Sequence, residues 1–306
     1  MMNIIKRTIN TMLKRRTVGC GLQGGAYLAL SMKSAHGKWQ IEWAQTGTLG
    51  DEDSAKRLSS KVKKTPFWTH PSESGGLKLT TARSIEIPLG IKGKELLNQL
   101  LFTQVSSRFL DKEIVTGGVA MSCIGAKGKK TVHYVGGGAI REHIDEDYGN
   151  WYRIMGIRRP HLTSATLALA NAYLALYPKE IREEKPLRMI VLRGRSVDQV
   201  ILMDDWRYLD ELELPRMEGV PGNILGLIRV WEDDFRKNCA SEVGDREIIP
   251  LVVDVGDDQV EGLEYWNLWD ETAVARIKMD GQTAEVLIAN RDLAPIAFGM
   301  AIAGGE

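Results

Sequence analysis

The chain is poor in the residues that most often carry chemistry. Its three cysteines, Cys20, Cys123 and Cys239, lie far apart, and no CxxC pair or Cys/His cluster of metal-binding spacing occurs. They read as reduced, buried thiols of a cytoplasmic protein rather than a disulfide framework. The five histidines, His36, His70, His133, His143 and His161, never fall at ligand spacing within one element. Charge of neither sign is in excess: 40 Lys and Arg face 40 Asp and Glu. Without a net basic face there is no electrostatic footprint for nucleic acid, and none is expected as a partner. No apolar run approaches the ~20 residues needed to span a bilayer. The N-terminus also lacks the uninterrupted apolar core of a secretory signal. No GxxxxGK[ST], GxSxG or HExxH occurs. Gly128-Lys129-Lys130-Thr131 lacks the upstream glycine of a phosphate loop and reads as a hairpin turn. Asp204-Asp205 and Asp257-Asp258 read as turn chemistry, and Asp233-Asp234 as the polar side of a helix. No catalytic residue and no metal ligand is assigned.

What is present begins with a glycine-rich segment, Thr17-Val18-Gly19-Cys20-Gly21-Leu22-Gln23-Gly24-Gly25-Ala26. Gly19-x-Gly21-x-x-Gly24 matches the dinucleotide fingerprint, which requires a strand before it and a helix after it. Lys14, Arg15 and Arg16 leave little apolar entry strand. Downstream, Leu28, Leu30 and Met32 alternate with Tyr27, Ala29 and Ser31. A polar turn at 34–38 follows, and Trp39, Ile41 and Trp43 then alternate again. Period-two alternation around a turn predicts a β-hairpin, with Trp39 and Trp43 in the core or on a sheet face. Glycines that feed a hairpin set a phosphate between strands instead of on a helix N-terminus. They also serve as a plain tight turn.

Residues 1–16 read as a basic amphipathic helix. Ile5, Ile9, Met12 and Leu13 share one face, and Lys6, Arg7, Lys14, Arg15 and Arg16 supply positive charge for an anionic membrane surface. A frayed tail, or a helix packed on its own domain, is the plainer alternative. Residues 50–76 predict a solvated helix and then a loop. Leu77 to Ile87 reads as a strand ending at Pro88. From Lys92, Leu97, Leu101, Val105 and Phe109 form one helical stripe. Ile114 to Cys123 and Thr131 to Val135 read as strands flanking a basic turn at 125–130. Gly136-Gly137-Gly138 opens a helix over Ile140 to Met155, with Gly156 as its C-cap. Thr163 or Ser164 caps an alanine-rich helix that runs through Tyr177.

After a polar break near 185 the pattern restarts. Strands are expected at 189–192, 197–203 and 206–214. A helix after Asn223 turns Leu225, Ile228, Trp231 and Phe235 inward. Strands follow at 248–255 and 284–289, then a helix at 293–302. A glycine turn inside a β-meander, followed by helices, thus occurs twice. That echo implies two related lobes, and the break near 185 is the boundary.

The glycine segment at a strand–turn–strand start resembles the first phosphate loop of the actin/Hsp70/hexokinase fold. It is more similar to the PilM family of type IV pilus assembly and to the cytoplasmic domain of the type II secretion L protein. Three further stretches share the resemblance: Thr81-Ala82-Arg83-Ser84-Ile85-Glu86-Ile87-Pro88-Leu89; Tyr152-Arg153-Ile154-Met155-Gly156-Ile157 followed by Ala168-Leu169-Ala170-Asn171; and Ala294-Pro295 through Gly304.

The resemblance implies an α/β, actin-like (ribonuclease H-like) bilobal fold with two related mixed-sheet lobes. The first lobe would span 17–185, with an inserted subdomain around 89–160. The second would span 186–290, and residues 291–306 would form a helix returning to the first. The vestigial nucleotide-cleft candidates are Gly21, Gln23, Gly24, Gly25, Gly194 and Gly256. Gly21 stands where the family has an aspartate, Gln23 where it has a second glycine, Leu28 where it has a lysine, and Leu192 where its second loop has an aspartate. Magnesium requires hard oxygen ligands, so these replacements argue against ATP hydrolysis. Backbone N–H groups alone can cradle phosphate, and weak ATP binding remains compatible. Arg193 and Arg195 add cationic contacts there, or are simple turn residues.

By resemblance, the chain is a cytoplasmic scaffold peripheral to the inner membrane. Its partner is the short cytoplasmic tail of a single-span inner-membrane protein. Its end at Glu306 favours the stand-alone pilus form over the secretion protein. The alternatives are a nucleotide-binding enzyme of the sugar-kinase/actin fold and a dinucleotide-binding oxidoreductase.

Overall fold

The computed structural model describes residues 16–35, 38–63, 72–77, 80–88, 114–117, 131–156, 161–177, 186–205, 207–216, 224–253, 259–269 and 277–303, together with positions 99 and 103. Of the expected helix from Lys92 only positions 99 and 103 are described, and both are helical, while the basic turn at 125–130, Lys6, Arg7, Lys14, Arg15, Asp257-Asp258 and Gly256 lie outside the described residues.

The chain starts with a three-stranded meander, β1 (Arg16–Gln23), β2 (Ala26–Ala35) and β3 (Lys38–Thr48). Alternation sets its register. Leu28, Leu30 and Met32 face one side of the sheet, and Tyr27 and Ala29 the other. Helix α1 (Glu52–Lys63) follows, with Leu58 and Val62 inward. Then come β4 (Ser72–Leu77), β5 (Thr80–Pro88), β6 (Ile114–Gly117) and β7 (Thr131–Ile140). Helix α2 (Arg141–Met155) ends at Gly156, whose φ of 71° is left-handed and whose N–H bonds Tyr152 O at 2.8 Å. The three glycines expected to open this helix instead lie inside β7. Strand β8 (His161–Ser164) leads to α3 (Ala165–Leu176), where the Ser164 hydroxyl accepts the Leu167 N–H.

The second half repeats the plan. It begins with β9 (Leu187–Arg193), β10 (Val197–Asp204) and β11 (Arg207–Pro215). Helices α4 (Ile224–Asn238) and α5 (Ala240–Val243) follow, then β12 (Ile248–Val253), β13 (Glu264–Trp266) and β14 (Ile277–Lys278). The chain continues into α6 (Gly281–Ile288) and α7 (Ala294–Ala303). Two sequence expectations fail here. Residues 284–289 belong to a helix, because Asp280 caps it by accepting the Thr283 N–H at 2.7 Å and sets a helical period in which Thr283 and Leu287 point inward. On α4, Ile224 is the buried residue and Leu225 is exposed.

The repetition shows most plainly in strand order. The first sheet runs β14-β3-β2-β1-β4-β8 and the second β11-β10-β9-β12-β13. Each has an antiparallel meander whose first strand continues into two parallel strands. The outer face of the first sheet is covered by α1 and α2, around Leu58, Trp151 and Ile154. The outer face of the second packs against α4 through Ile228, Trp231 and Phe235. Between the sheets lie α3 and α7, neither of which carries a charged side chain. They share one core with Leu28 and Leu30 of the first sheet and Ile190 and Ile201 of the second.

The first meander is stitched across by one acid. Glu42 on β3 receives Arg16 from β1, with a 2.8 Å hydrogen bond from Nη2, and Lys33 from β2. Burial would lift the Glu42 carboxyl, but the bonds and charges of Arg16 and Lys33 outweigh it and hold the group below its ordinary value. An acid whose folded pKa is depressed contributes stability at neutral pH, and that stability is lost as pH falls through the folded pKa. Glu42→Gln is therefore expected to lower stability by about 1 kcal/mol at pH 7, and urea midpoints should converge with the wild type as pH falls below the depressed folded value of Glu42.

Candidate functional site

The site is where the two meanders meet. Gln23 and Ala26 close the first hairpin around a two-residue turn, Gly24-Gly25, with φ values of 57° and 78°. Positive φ at both central residues is what a primed hairpin turn requires, and glycine adopts it freely. Gly19 and Gly21 do not belong to a loop, as the sequence had suggested; they lie within β1 because α7 passes close beneath. A Cβ on Gly21 would meet Ile296 at 3.1 Å and the Leu293 carbonyl at 3.3 Å. The second hairpin joins β9 to β10 through Gly194, Arg195 and Ser196, and the Gly194 N–H bonds Val197 O at 3.2 Å.

Gln23 connects the two. Its side chain is buried, at 6% exposure for the residue. Its Oε1 accepts the Arg195 backbone N–H at 2.6 Å, and its Nε2 donates to the Val197 carbonyl at 3.1 Å. The carboxamide fits only because position 194 is glycine: a Cβ there would sit 1.9 Å from Oε1. Gly24 lies beside Ser196 and Arg195, and around Gly25 a Cβ would meet nothing within 4 Å. The structure therefore brings Gln23, Gly24 and Gly194 together and backs Gly21 with α7.

The charged groups nearby are already engaged. Arg195 donates to Asp292 through Nε at 2.6 Å and to Asn290 through Nη2 at 3.0 Å, which ties the second hairpin to the turn before α7. Arg216 donates to the Gly194 carbonyl at 2.9 Å. Arg193 faces Asp198 at 3.7 Å, and burial pushes the Asp198 carboxyl up despite Arg193 and Arg216. Arg16, the one described residue of the basic N-terminal set, is engaged by Glu42.

Magnesium would need oxygen ligands at the hairpins. The two positions that the resemblance sets against the family's aspartates hold Gly21, which lies against Ile296, and Leu192, which is fully buried in the central core with Leu28. These residues do not fit a Mg²⁺–triphosphate group. Among the described residues there is no cluster of three or more His, Cys, Asp or Glu that could hold a metal ion. None of the described helices is long and apolar enough to cross a membrane.

A second polar group lies at the N-terminus of α3, where sequence reading found only a cap. Glu211 on β11 is buried and accepts hydrogen bonds from Thr166 of α3 and from Tyr208, the latter at 2.5 Å. Ser164 and Thr166 share a hydroxyl–hydroxyl contact at 3.0 Å. This group joins an interior helix to the second sheet.

Two mixed sheets that share a five-strand order, the first extended by β14, enclose two helices and oppose their first hairpins, and together they make an actin-like fold. The chain is similar across 95% of its length to 98% of a chain solved in a PilM-PilN type IV pilus biogenesis complex, with a TM-score of 0.59 and 14% identity. Looser likenesses include a Bacteroides thetaiotaomicron protein with actin-like ATPase fold and unknown function. It has a TM-score of 0.43 and 11% identity, over 94% of this chain and 97% of that one. Another is an Aquifex aeolicus Ppx/GppA family member, with a TM-score of 0.38 and 8% identity, over 78% of this chain and 66% of that one. No family model matches the chain, and no curated protein matches it.

Proposed function

We propose that this chain is a non-catalytic scaffold of actin-like fold in the inner-membrane assembly platform of a type IV pilus or type II secretion machine. It acts in the cytoplasm, peripheral to the membrane, and docks the short cytoplasmic tail of a single-span partner. The observation that carries the non-catalytic half is the Gln23 side chain lodged against Gly194, which fills the space between the two hairpins with an amide. Support for the assembly half comes from the likeness to the chain from the PilM-PilN complex, which extends over nearly the whole length of both. An extended tail bound along an apolar groove is a recurring mode of peptide recognition.

The test has two arms. Isothermal titration with ATP and Mg²⁺ is expected to show no magnesium-dependent binding. Synthetic peptides of the cytoplasmic tails of single-span proteins encoded beside this gene are expected to bind with Kd values of about 1–100 µM, in the range of transient peptide recognition. Tight magnesium-dependent ATP binding would move the assignment to an enzyme of the same fold. Failure of every neighbouring tail would overturn the docking role.

A further inference from the structure

The contact between the hairpins has a consequence beyond the loss of chemistry. Two hydrogen bonds join residues 172 and 174 positions apart, and both come from one carboxamide. The group it meets is a backbone N–H in a glycine turn, the kind of donor that receives a phosphate oxygen in a nest. Gly194 has no Cβ and so leaves the slot the amide fills. Arg195, whose N–H is used, is fixed from behind by Asp292 and Asn290. The hairpins occupy equivalent places in the two repeats, at the turn between the first and second strands of each meander.

We propose that the Gln23 side chain is a built-in clasp that holds the two sheets together across the cleft, occupying the place a diffusible oxyanion would need between the hairpins. Closure then requires no small-molecule ligand. The clasp concerns the coupling of the two halves, and it stands whether or not a tail peptide binds.

Hydrogen exchange and a distance measurement test it on the full chain. Gln23→Ala removes both bonds. Gly194→Ala attacks from the other side, since its methyl group evicts the amide. Each is expected to accelerate exchange of the Arg195 amide by about tenfold or more. The distance distribution between spin labels at Lys56→Cys on α1 and Lys237→Cys on α4, in a Cys123→Ser background, should broaden in both. The double variant should resemble either single one, because both break the same contact. Gln23→Glu keeps the volume and the acceptor for Arg195 but sets an oxygen against the Val197 carbonyl. It covers the case in which Gln23→Ala does not fold. Wild-type exchange at Arg195 together with unchanged distances in the folded variants would overturn the clasp.

Discussion

Gly299→Ala is expected to destabilise the chain by about 3 kcal/mol or more, because it drives a methyl group into a neighbouring backbone. A Cβ at this position would lie 1.8 Å from the Ala168 carbonyl oxygen and 2.5 Å from its carbon. Neither atom can swing aside as the tip of a side chain can. Helices α3 and α7 would have to separate, and both are wedged between the sheets, so the movement would propagate into each face of the central core. Gly19 is in the same position on the other side of α7, since a Cβ there would meet the Ala297 carbonyl at 2.0 Å and the Ala301 nitrogen at 2.4 Å. Gly149 supplies the control. It lies in α2, and a Cβ there would meet nothing within 4 Å. Gly149→Ala should stabilise by roughly 0.5–1 kcal/mol through lower unfolded-state entropy and better helix propensity. Thermal and urea unfolding of the three variants should therefore give opposite signs for the same chemical change. A Gly299→Ala protein that melts with the wild type would mean that α3 and α7 are not packed this closely.

The second large effect is expected at Glu211. Removing its carboxyl with Glu211→Ala leaves the Thr166 and Tyr208 hydroxyls buried and short of their acceptor, and it opens a cavity beside α3. The stranded Tyr208 hydroxyl costs roughly 1–3 kcal/mol and the cavity adds to it, while Thr166 keeps its contact with Ser164, so a loss of about 3 kcal/mol in the urea-extrapolated stability is the expected result. Tyr208→Phe removes one donor and leaves the carboxyl to Thr166, and it should cost only about 1 kcal/mol. Burial, then the neighbouring Glu211, pushes the Tyr208 phenol well above its ordinary value, so the hydroxyl stays a donor through the alkaline range. The double variant Glu211→Ala/Tyr208→Phe should recover part of the loss, because it no longer strands the phenol. If Glu211→Ala unfolds like the wild type, the group does not hold α3 to the second sheet.

Much of this architecture was legible in the sequence because it is local. The meanders announced themselves by alternation at Leu28, Leu30 and Met32, and Ser164 and Gly156 mark helix ends with side-chain and backbone chemistry of their own. The elements that escaped depend on partners. Strands β13 and β14 have three and two residues, and they exist because a neighbouring strand supplies their hydrogen bonds. Residues 284–289 carry β-branched and apolar side chains that suit a strand, and only the Asp280 cap upstream decides for helix. The site divides the same way. A glycine pair at 24–25 suggests a turn from sequence alone. Nothing in one glutamine foretells that its amide will settle against Gly194, since that contact depends on the fold bringing two distant turns together. Glu211 was missed for a similar reason: a carboxyl on a strand reads as surface until the helix opposite is known.

The order of synthesis gives helix α7 a further significance. Its residues are translated after every other described element, yet they fill the middle of the molecule. Until α7 leaves the ribosome, the apolar core between the sheets lacks one of the two helices that fill it. A protein built this way cannot mature domain by domain during translation, and its dependence on chaperones should be greatest before α7 has been made.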